Sequence, residues 1–343
     1  MTSWTAFLVE HGAVIDGDRV TAFAPPSAGT TSRRDIVVPL LHLAMTRISG
    51  ADAVPFLQGQ LTCDVAGREP DSATLGAYCT PKGRMLATFI ALRERDAVRL
   101  LSARDVVAPL AKRLRMFVLR SKVVIEDESD AVRVLGIAGP RAAEALTSAL
   151  GMRAPDRDWR AVRATSGAVA LRVPADRFVL LAPATEAERV WEGLVGAGAQ
   201  PADTAAWERL DIERGIPWVV GATQEQFIPQ MANLELIGGV SFEKGCYPGQ
   251  EIVARTHYRG EVKRRLRLAH VESESPPAPG DELFVGGTTD QTCGMVVNAA
   301  PALDGGYDLL AVVQNSALVG EPVRLRAGDG PKLVFRDLPY AVP

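Results

Sequence analysis

The chain has 343 residues, 47% hydrophobic and 23% charged, with a formal net charge of −3. At roughly 150 residues per domain this predicts two or three domains, with ample chain for sizeable cores. The composition is that of a soluble globular protein and gives no global basic field that would advertise nucleic acid, though local basic patches remain open.

Met1 to Val14 has neither a basic leader nor an unbroken apolar run, and no stretch of about 18 apolar residues occurs. Neither a signal peptide nor a membrane span is expected. The four cysteines, Cys63, Cys79, Cys246 and Cys293, are scattered and form no C-x-x-C pair. That usage fits a reducing, cytoplasmic compartment and argues against a disulfide framework or zinc ribbon. No histidine stands at H-E-x-x-H spacing, so a zincin site is excluded and no metal ligands are assigned.

In chain order, Ala22 to Arg34 is rich in Pro, Ser, Thr and Gly and reads as a loop. Ile36 to Leu43 is an apolar run that reads as one buried strand. A helix follows over Ala51 to Leu61, with Asp52 as its N-cap. Phe89 to Leu92 and Ala97 to Leu101 are strands joined by the polar turn Arg93 to Asp96. Ser102 with Asp105 resembles a capping box opening an amphipathic helix that carries Val106, Val107, Leu110 and Leu114. Val123 to Ile125 reads as a strand.

The pattern then restarts. Ile48-x-Gly50-x-x-Ala53-x-x-x-Leu57 is matched by Ile137-x-Gly139-x-x-Ala142-x-x-x-Leu146. Each is a strand end, a glycine turn and a helix, which suggests two related α+β units; chance likeness of two such joints is the alternative. Thr204 to Arg214 reads as a further helix. Beyond Pro276 to Gly280, short apolar segments alternate with glycine turns, the texture of a small β-barrel or sandwich.

One segment stands apart: Lys244-Gly245-Cys246-Tyr247-Pro248-Gly249-Gln250-Glu251-Ile252-Val253-Ala254-Arg255. It sets a thiol between two glycines that can take backbone angles closed to other residues. Lys244 and Arg255 can favour the thiolate of Cys246, and Gln250 and Glu251 can begin a helix whose N-terminus favours an anion. A tight turn around a buried, inert cysteine is the alternative. Cys63, Cys79 and Cys293 read as buried small apolar residues. Tyr78 and Phe117 can stack on a flat ring, but core packing is the commoner role. Lys112 to Lys122 and Lys263 to Arg267 are basic stretches. A solvated face is the ordinary meaning, and a cradle for an acidic tail or for RNA phosphates is the sharper one. On the second stretch Lys263, Arg265 and Arg267 share one face.

The thiol segment resembles the signature of the YgfZ family, K-G-C-[FY]-x-G-Q-E followed by a basic residue, at every fixed position. Phe56 to Val65, Thr80 to Leu86 and Ile228 to Glu235 are similar to three further family motifs in the same order. The resemblance spans about Pro39 to Val313. It implies an α+β fold of two interleaved units plus a C-terminal β-barrel, arranged as a ring around a central folate channel. The implied units are 1–53 with 125–205, 54–124 with 206–262, and 263–343.

In the related glycine-cleavage T-proteins, a Glu in an L-x-x-E-x-G segment binds the pterin. Leu210 to Gly215 matches, which makes Glu213 the pterin candidate; a surface acid paired to a neighbouring Arg is the alternative. The implied ligand is tetrahydrofolate or a derivative, polyglutamylated in the acidic-tail reading. Glu213, Lys244, Gly245, Tyr247, Gly249, Gln250, Glu251 and Arg255 are its candidate contacts, with Cys246 as the functional thiol. The implied role is an accessory factor for iron–sulfur cluster assembly or repair that supports tRNA-modifying cluster enzymes. Its partners would be folate and cluster-assembly or client proteins, with no membrane and no direct nucleic-acid binding.

The alternatives are a tetrahydrofolate-dependent aminomethyl- or methyltransferase and a folate-sensing protein without chemistry. T-proteins carry an Asp on the strand after the Lys82-Gly83-Arg84 turn. This chain has only Met85 to Leu92 there, with no carboxylate before Glu94.

Overall fold

The computed structural model describes residues 3–24, 34–286 and 292–343. Most of the loop expected over Ala22 to Arg34 lies outside the described residues. Among those described, the helices are α1 (Ser3–Glu10), α2 (Ala53–Gln58), α3 (Arg104–Arg115), α4 (Ala142–Leu150), α5 (Ala187–Gly196), α6 (Thr204–Glu213) and α7 (Gln250–Arg259).

A six-stranded sheet runs in the order Ala161–Arg163, Val169–Val173, Arg177–Pro183, Val132–Ala138, Ile36–Pro39, Gln200–Pro201. A five-stranded antiparallel sheet runs Ser72–Cys79, Met85–Arg93, Ala97–Ala103, Leu43–Ser49, Val124–Asp127. Val38, Val134 and Val179 of the first sheet pack against Leu43, Met45, Ile90 and Leu101 of the second in one shared core. The outer faces are covered separately. Leu8, Leu146 and Trp191 from α1, α4 and α5 pack on the first sheet, and Leu57, Val106 and Leu110 from α2 and α3 on the second. Each helix thus buries one apolar stripe, as its sequence period requires.

The apolar run Ile36 to Leu43 is not one strand. Ile36–Pro39 pairs with Val132–Ala138, and Leu43–Ser49 begins the other sheet. Pro39 has no N–H to continue the ladder, so the break falls there. The chain therefore changes sheet between residues 39 and 43 and returns between 127 and 132. Both sheets are buried on two sides, so the hydrophobic pattern carried no mark of the exchange.

The repeated joint is present in both halves. Gly50 (φ +110°) and Gly139 (φ +133°) each turn the chain where a Cβ would strike backbone, Lys122 O at 2.2 Å and Asp35 Cα at 2.6 Å. The expected caps are used otherwise. Asp52 stands at the N-cap of α2, but its carboxylate accepts Lys122 N–H (2.7 Å). Ser102 is buried in a strand with its hydroxyl unpartnered, and Asp105 accepts Gly221 N–H (2.7 Å), so there is no capping box.

The C-terminal strands run Val323–Leu325, Glu282–Val285, Thr292–Pro301, Tyr307–Gln314, Arg264–Val271, Leu333–Arg336. An isolated bridge, Arg324 to Lys332, brings the two ends together, so the sheet curls into a half-barrel. The strand Arg264–Val271 is buried on both faces, Leu266 and Leu268 on one and Ala269 and Val271 on the other. Arg265 is accordingly buried, pairing with Glu235 and donating to Gln230 O (3.0 Å). The solvated basic face expected of this strand fails at that residue.

Candidate functional site

Residues 243–249 leave regular structure and end on Gly249, which caps α7 in a left-handed conformation (φ +83°). A Cβ on Gly249 would lie 2.5 Å from Thr80 O and 2.6 Å from Gly83 Cα. Gly83 (φ +72°) in turn faces Ile252 of α7. Two motifs distant in sequence, Thr80 to Arg84 and Lys244 to Gly249, are therefore seated on one another through glycines.

Lys244 anchors the loop from its other side. Its Nζ donates to the backbone carbonyls of Leu61 and Cys63 and sits 5.2 Å from the centre of the Tyr247 ring. Burial lowers the Lys244 pKa to about 8 against the pull of Cys63 and Asp64. The Lys244 ammonium is thus committed to carbonyls rather than to the Cys246 sulfur. Tyr247 is buried with an unpartnered hydroxyl, and burial raises its pKa. Gln250 N–H is used by Tyr247 O (3.1 Å), while Glu251 and Arg255 stand exposed on α7. Gly245 has nothing within 4 Å of a built Cβ, so sterics do not demand glycine there.

Cys246 is exposed, whereas Cys63, Cys79 and Cys293 are buried. Burial pushes Cys63 and Cys79 up to about 12, leaving them inert. The accessible thiol is the one in the motif, and the buried-cysteine alternative fails.

A cavity of about 790 Å³ opens elsewhere, lined by the hairpin segment Asp18 to Thr21, His42 and Leu43, α6, and the half-barrel segment Asn298 to Pro301. No residue from Lys244 to Arg255 lines it. Arg19 forms a two-pronged pair with Glu208, the Nη1–Oε1 arm at 2.8 Å. Burial raises the Glu208 carboxyl, and Arg19 partly offsets this. His42 is held neutral, its pKa lowered to about 3 by burial and by Arg19 and Arg104, and its Nδ1 has no partner. Asp211 accepts from Arg177 (2.7 Å) and from Trp218 Nε1 (2.9 Å).

Glu213 does not reach this cavity. Two residues along a helix turn the side chain by about 200°, so Asp211 faces the cavity and Glu213 lines a separate one of about 320 Å³. Glu208, three residues before Asp211, shares the cavity face, the spacing that could have singled it out. Arg19 and His42 come from distant segments without a local signature. Tyr78 is core and Phe117 is exposed; neither lines the cavity. Among the described residues no three His, Cys, Asp or Glu side chains group to hold a metal, and no helix is long and apolar enough to cross a membrane.

On the strand after the Thr80 to Arg84 turn, Ala87 is buried and Thr88 Oγ1 donates to Pro217 O (3.0 Å) while accepting Val219 N–H (2.9 Å). Glu94 is engaged by Arg99 (3.1 Å) and Arg163.

Residues 34–242 match the family described as the GCVT N-terminal domain. A tRNA-modifying protein YgfZ from Sodalis glossinidius (strain morsitans) is 34% identical over 307 residues, covering 89% of this chain and 93% of that protein. The chain belongs to the YgfZ family. Its fold is that of the glycine cleavage system aminomethyltransferase T from Bartonella henselae, with TM-score 0.77, 97% of this chain and 95% of that one covered, at 15% identity. Family membership at this coverage includes the thiol loop, whereas the T-protein likeness at 15% identity shows the α+β fold alone. Two of the YgfZ motifs, Thr80 to Leu86 and Lys244 to Arg255, thus meet at the seam between the five-stranded sheet's turn and α7.

Proposed function

We propose that this YgfZ-family chain is a folate-binding accessory factor for iron–sulfur cluster assembly or repair, supporting cluster-dependent tRNA-modifying enzymes. The observation that carries the reading is the exposed Cys246 thiol on a loop locked by Gly249 and Lys244. A rigid loop presents the sulfur at little entropic cost to a partner, here a client protein or cluster carrier. A lone thiol supplies one ligand to a cluster in transit, and the client supplies the rest. The relative whose name describes tRNA modification supports the cellular role.

Folate fits the large cavity. Its volume of about 790 Å³ suits a ligand of that size. Leu43, Ile216 and Trp218 offer apolar walls for flat rings, and Glu208 and Asp211 offer acceptors for pterin N–H groups. In this reading the cavity is the central channel of the ring, and the α6 carboxylates take the part expected of Glu213. The His42 Nδ1, buried and unpartnered, is a further polar contact for the ligand. Arg19 is the sole arginine or lysine among the lining residues, so an acidic tail would extend outward. Bound tetrahydrofolate supplies a one-carbon carrier; the residues around it bind and orient it. Calorimetry with tetrahydrofolate tests this half of the reading, and absence of saturable binding removes it.

The aminomethyltransferase reading is favoured by the T-protein fold. It lacks an acid or base at the expected strand, where Leu86 and Ala87 stand and no carboxylate occurs before Glu94.

A further inference from the structure

The buried pair of Arg265 and Glu235 leaves two acceptors unused. Arg265 Nη1 pairs with Glu235 Oε1 and also donates to Gln230 O (3.0 Å). The other carboxylate oxygen, Oε2, is buried without a hydrogen-bond partner, on a side chain 7% exposed. Gln230 is 1% exposed; its Nε2 donates to Val253 O (2.6 Å), and its Oε1 is likewise unpartnered. A buried acceptor is costly unless a donor reaches it.

Both residues line a further cavity of about 320 Å³, together with Thr256 and His257 from the last turn of α7 and with Glu261 and Val262 beyond it. Thr256 Oγ1 donates to Ile252 O (2.9 Å), so its lone pairs remain available to accept. The C-terminal end of a helix favours a cation. Arg265 is balanced by Glu235, and Glu261 leaves the lining acidic. Val262 and the His257 ring, stacked on Phe242 at 3.8 Å between centres, give walls for a carbon chain.

We propose that this cavity binds an organic primary ammonium group, its N–H donors taken by Glu235 Oε2 and Gln230 Oε1. An ammonium brings three donors and one positive charge, which match acceptors of this kind in an acidic lining. A divalent metal ion is disfavoured, because it calls for more carboxylates than Glu235 and Glu261, and Arg265 lies beside them. The site shares no lining residue with the folate cavity and rests on neither the folate nor the thiol reading.

The test is calorimetric titration of the full chain with butylammonium chloride at constant ionic strength, beside tetramethylammonium chloride, which carries the charge without an N–H. Saturable binding of butylammonium alone is expected. Glu235→Gln replaces the unused oxygen or its partner by an amide and should weaken that binding at least about tenfold. Because this variant also breaks a buried pair, Glu261→Lys provides a second arm at an exposed rim position. It should keep the wild-type melting midpoint and bind butylammonium at least about threefold more weakly. Glu321→Lys, the same charge change at an exposed residue outside the cavity, should bind as the wild type does. Absence of saturable heat, equal affinity for tetramethylammonium, or unchanged affinity in Glu261→Lys would overturn the assignment.

Discussion

Gly249 and Gly83 pack backbone to backbone, so closely that a Cβ on Gly249 would stand 2.6 Å from Gly83 Cα. This contact seats the thiol loop on the five-stranded sheet. Gly249→Ala adds a methyl group at that contact and holds a non-glycine residue at φ +83°. It should cost about 1–3 kcal/mol in urea unfolding. Gly245→Ala, with open space around it, should stay within about 0.5 kcal/mol of wild type. Equal effects at the two glycines would refute the seating.

A pH effect is expected from the half-barrel. His270 Nδ1 meets Asp308 (2.8 Å) and Nε2 meets Glu272 (3.2 Å), while Arg336 also pairs with Asp308 (3.0 Å). Burial lowers the His270 pKa and Arg336 opposes protonation, but the bonds to Asp308 and Glu272 prevail and raise it above 6.5. The folded state then holds a proton that the unfolded chain releases. The stabilisation is complete below the unfolded pKa of about 6.5 and is lost as pH rises through the folded value. Wild type minus His270→Asn, followed by urea midpoints from about pH 5 to pH 9, should fall across that window. A flat or rising difference would show that the pair does not act this way.

Folate affinity separates the two flanks of α6. Glu208→Gln should weaken tetrahydrofolate binding by about 1–3 kcal/mol, the scale for losing a charged hydrogen-bond partner. Glu213→Gln, in the other cavity, should leave it unchanged. Calorimetry on both variants decides, and a loss confined to Glu213→Gln would move the pterin to the smaller pocket.

Gly50 and Gly139 were legible because a forced backbone angle admits few residues. The thiol segment was legible because its glycines and lysine occur together. The sheet exchange near Pro39 was not, since residues buried on both faces carry no period that changes at the crossing. Nor were the fates of Asp52, Asp105 and Arg265, whose partners Lys122, Gly221 and Glu235 lie 30 or more residues away. The large cavity was hidden for the same reason: Arg19 and Glu208 are 189 residues apart. A motif aligned by letters pointed to Glu213, and helix rotation sets it on the smaller cavity while Asp211 lines the larger.

Aminomethyl transfer should be absent. Leu86 and Ala87 cannot accept a proton or steady a cationic intermediate, the neighbouring Thr88 is occupied by Pro217 and Val219, and Glu94 by two arginines. Acid–base help of this kind typically contributes about 10²–10⁴-fold. Purified protein with glycine-cleavage partners and tetrahydrofolate should show no turnover above the uncatalysed rate. A rate comparable to that of a T-protein would promote the transferase reading.

The proposed role makes the exposed Cys246 thiol the working group. It is tested most directly by assaying an iron–sulfur tRNA-modifying enzyme in a strain lacking its own YgfZ-family protein, supplied with wild-type chain or with Cys246→Ala. Because Cys246 is exposed, the variant should match wild type in melting midpoint and folate affinity. The prediction is restored modification with wild type and none with Cys246→Ala present at equal level. Full restoration by the folded variant would show that the Cys246 thiol is not required.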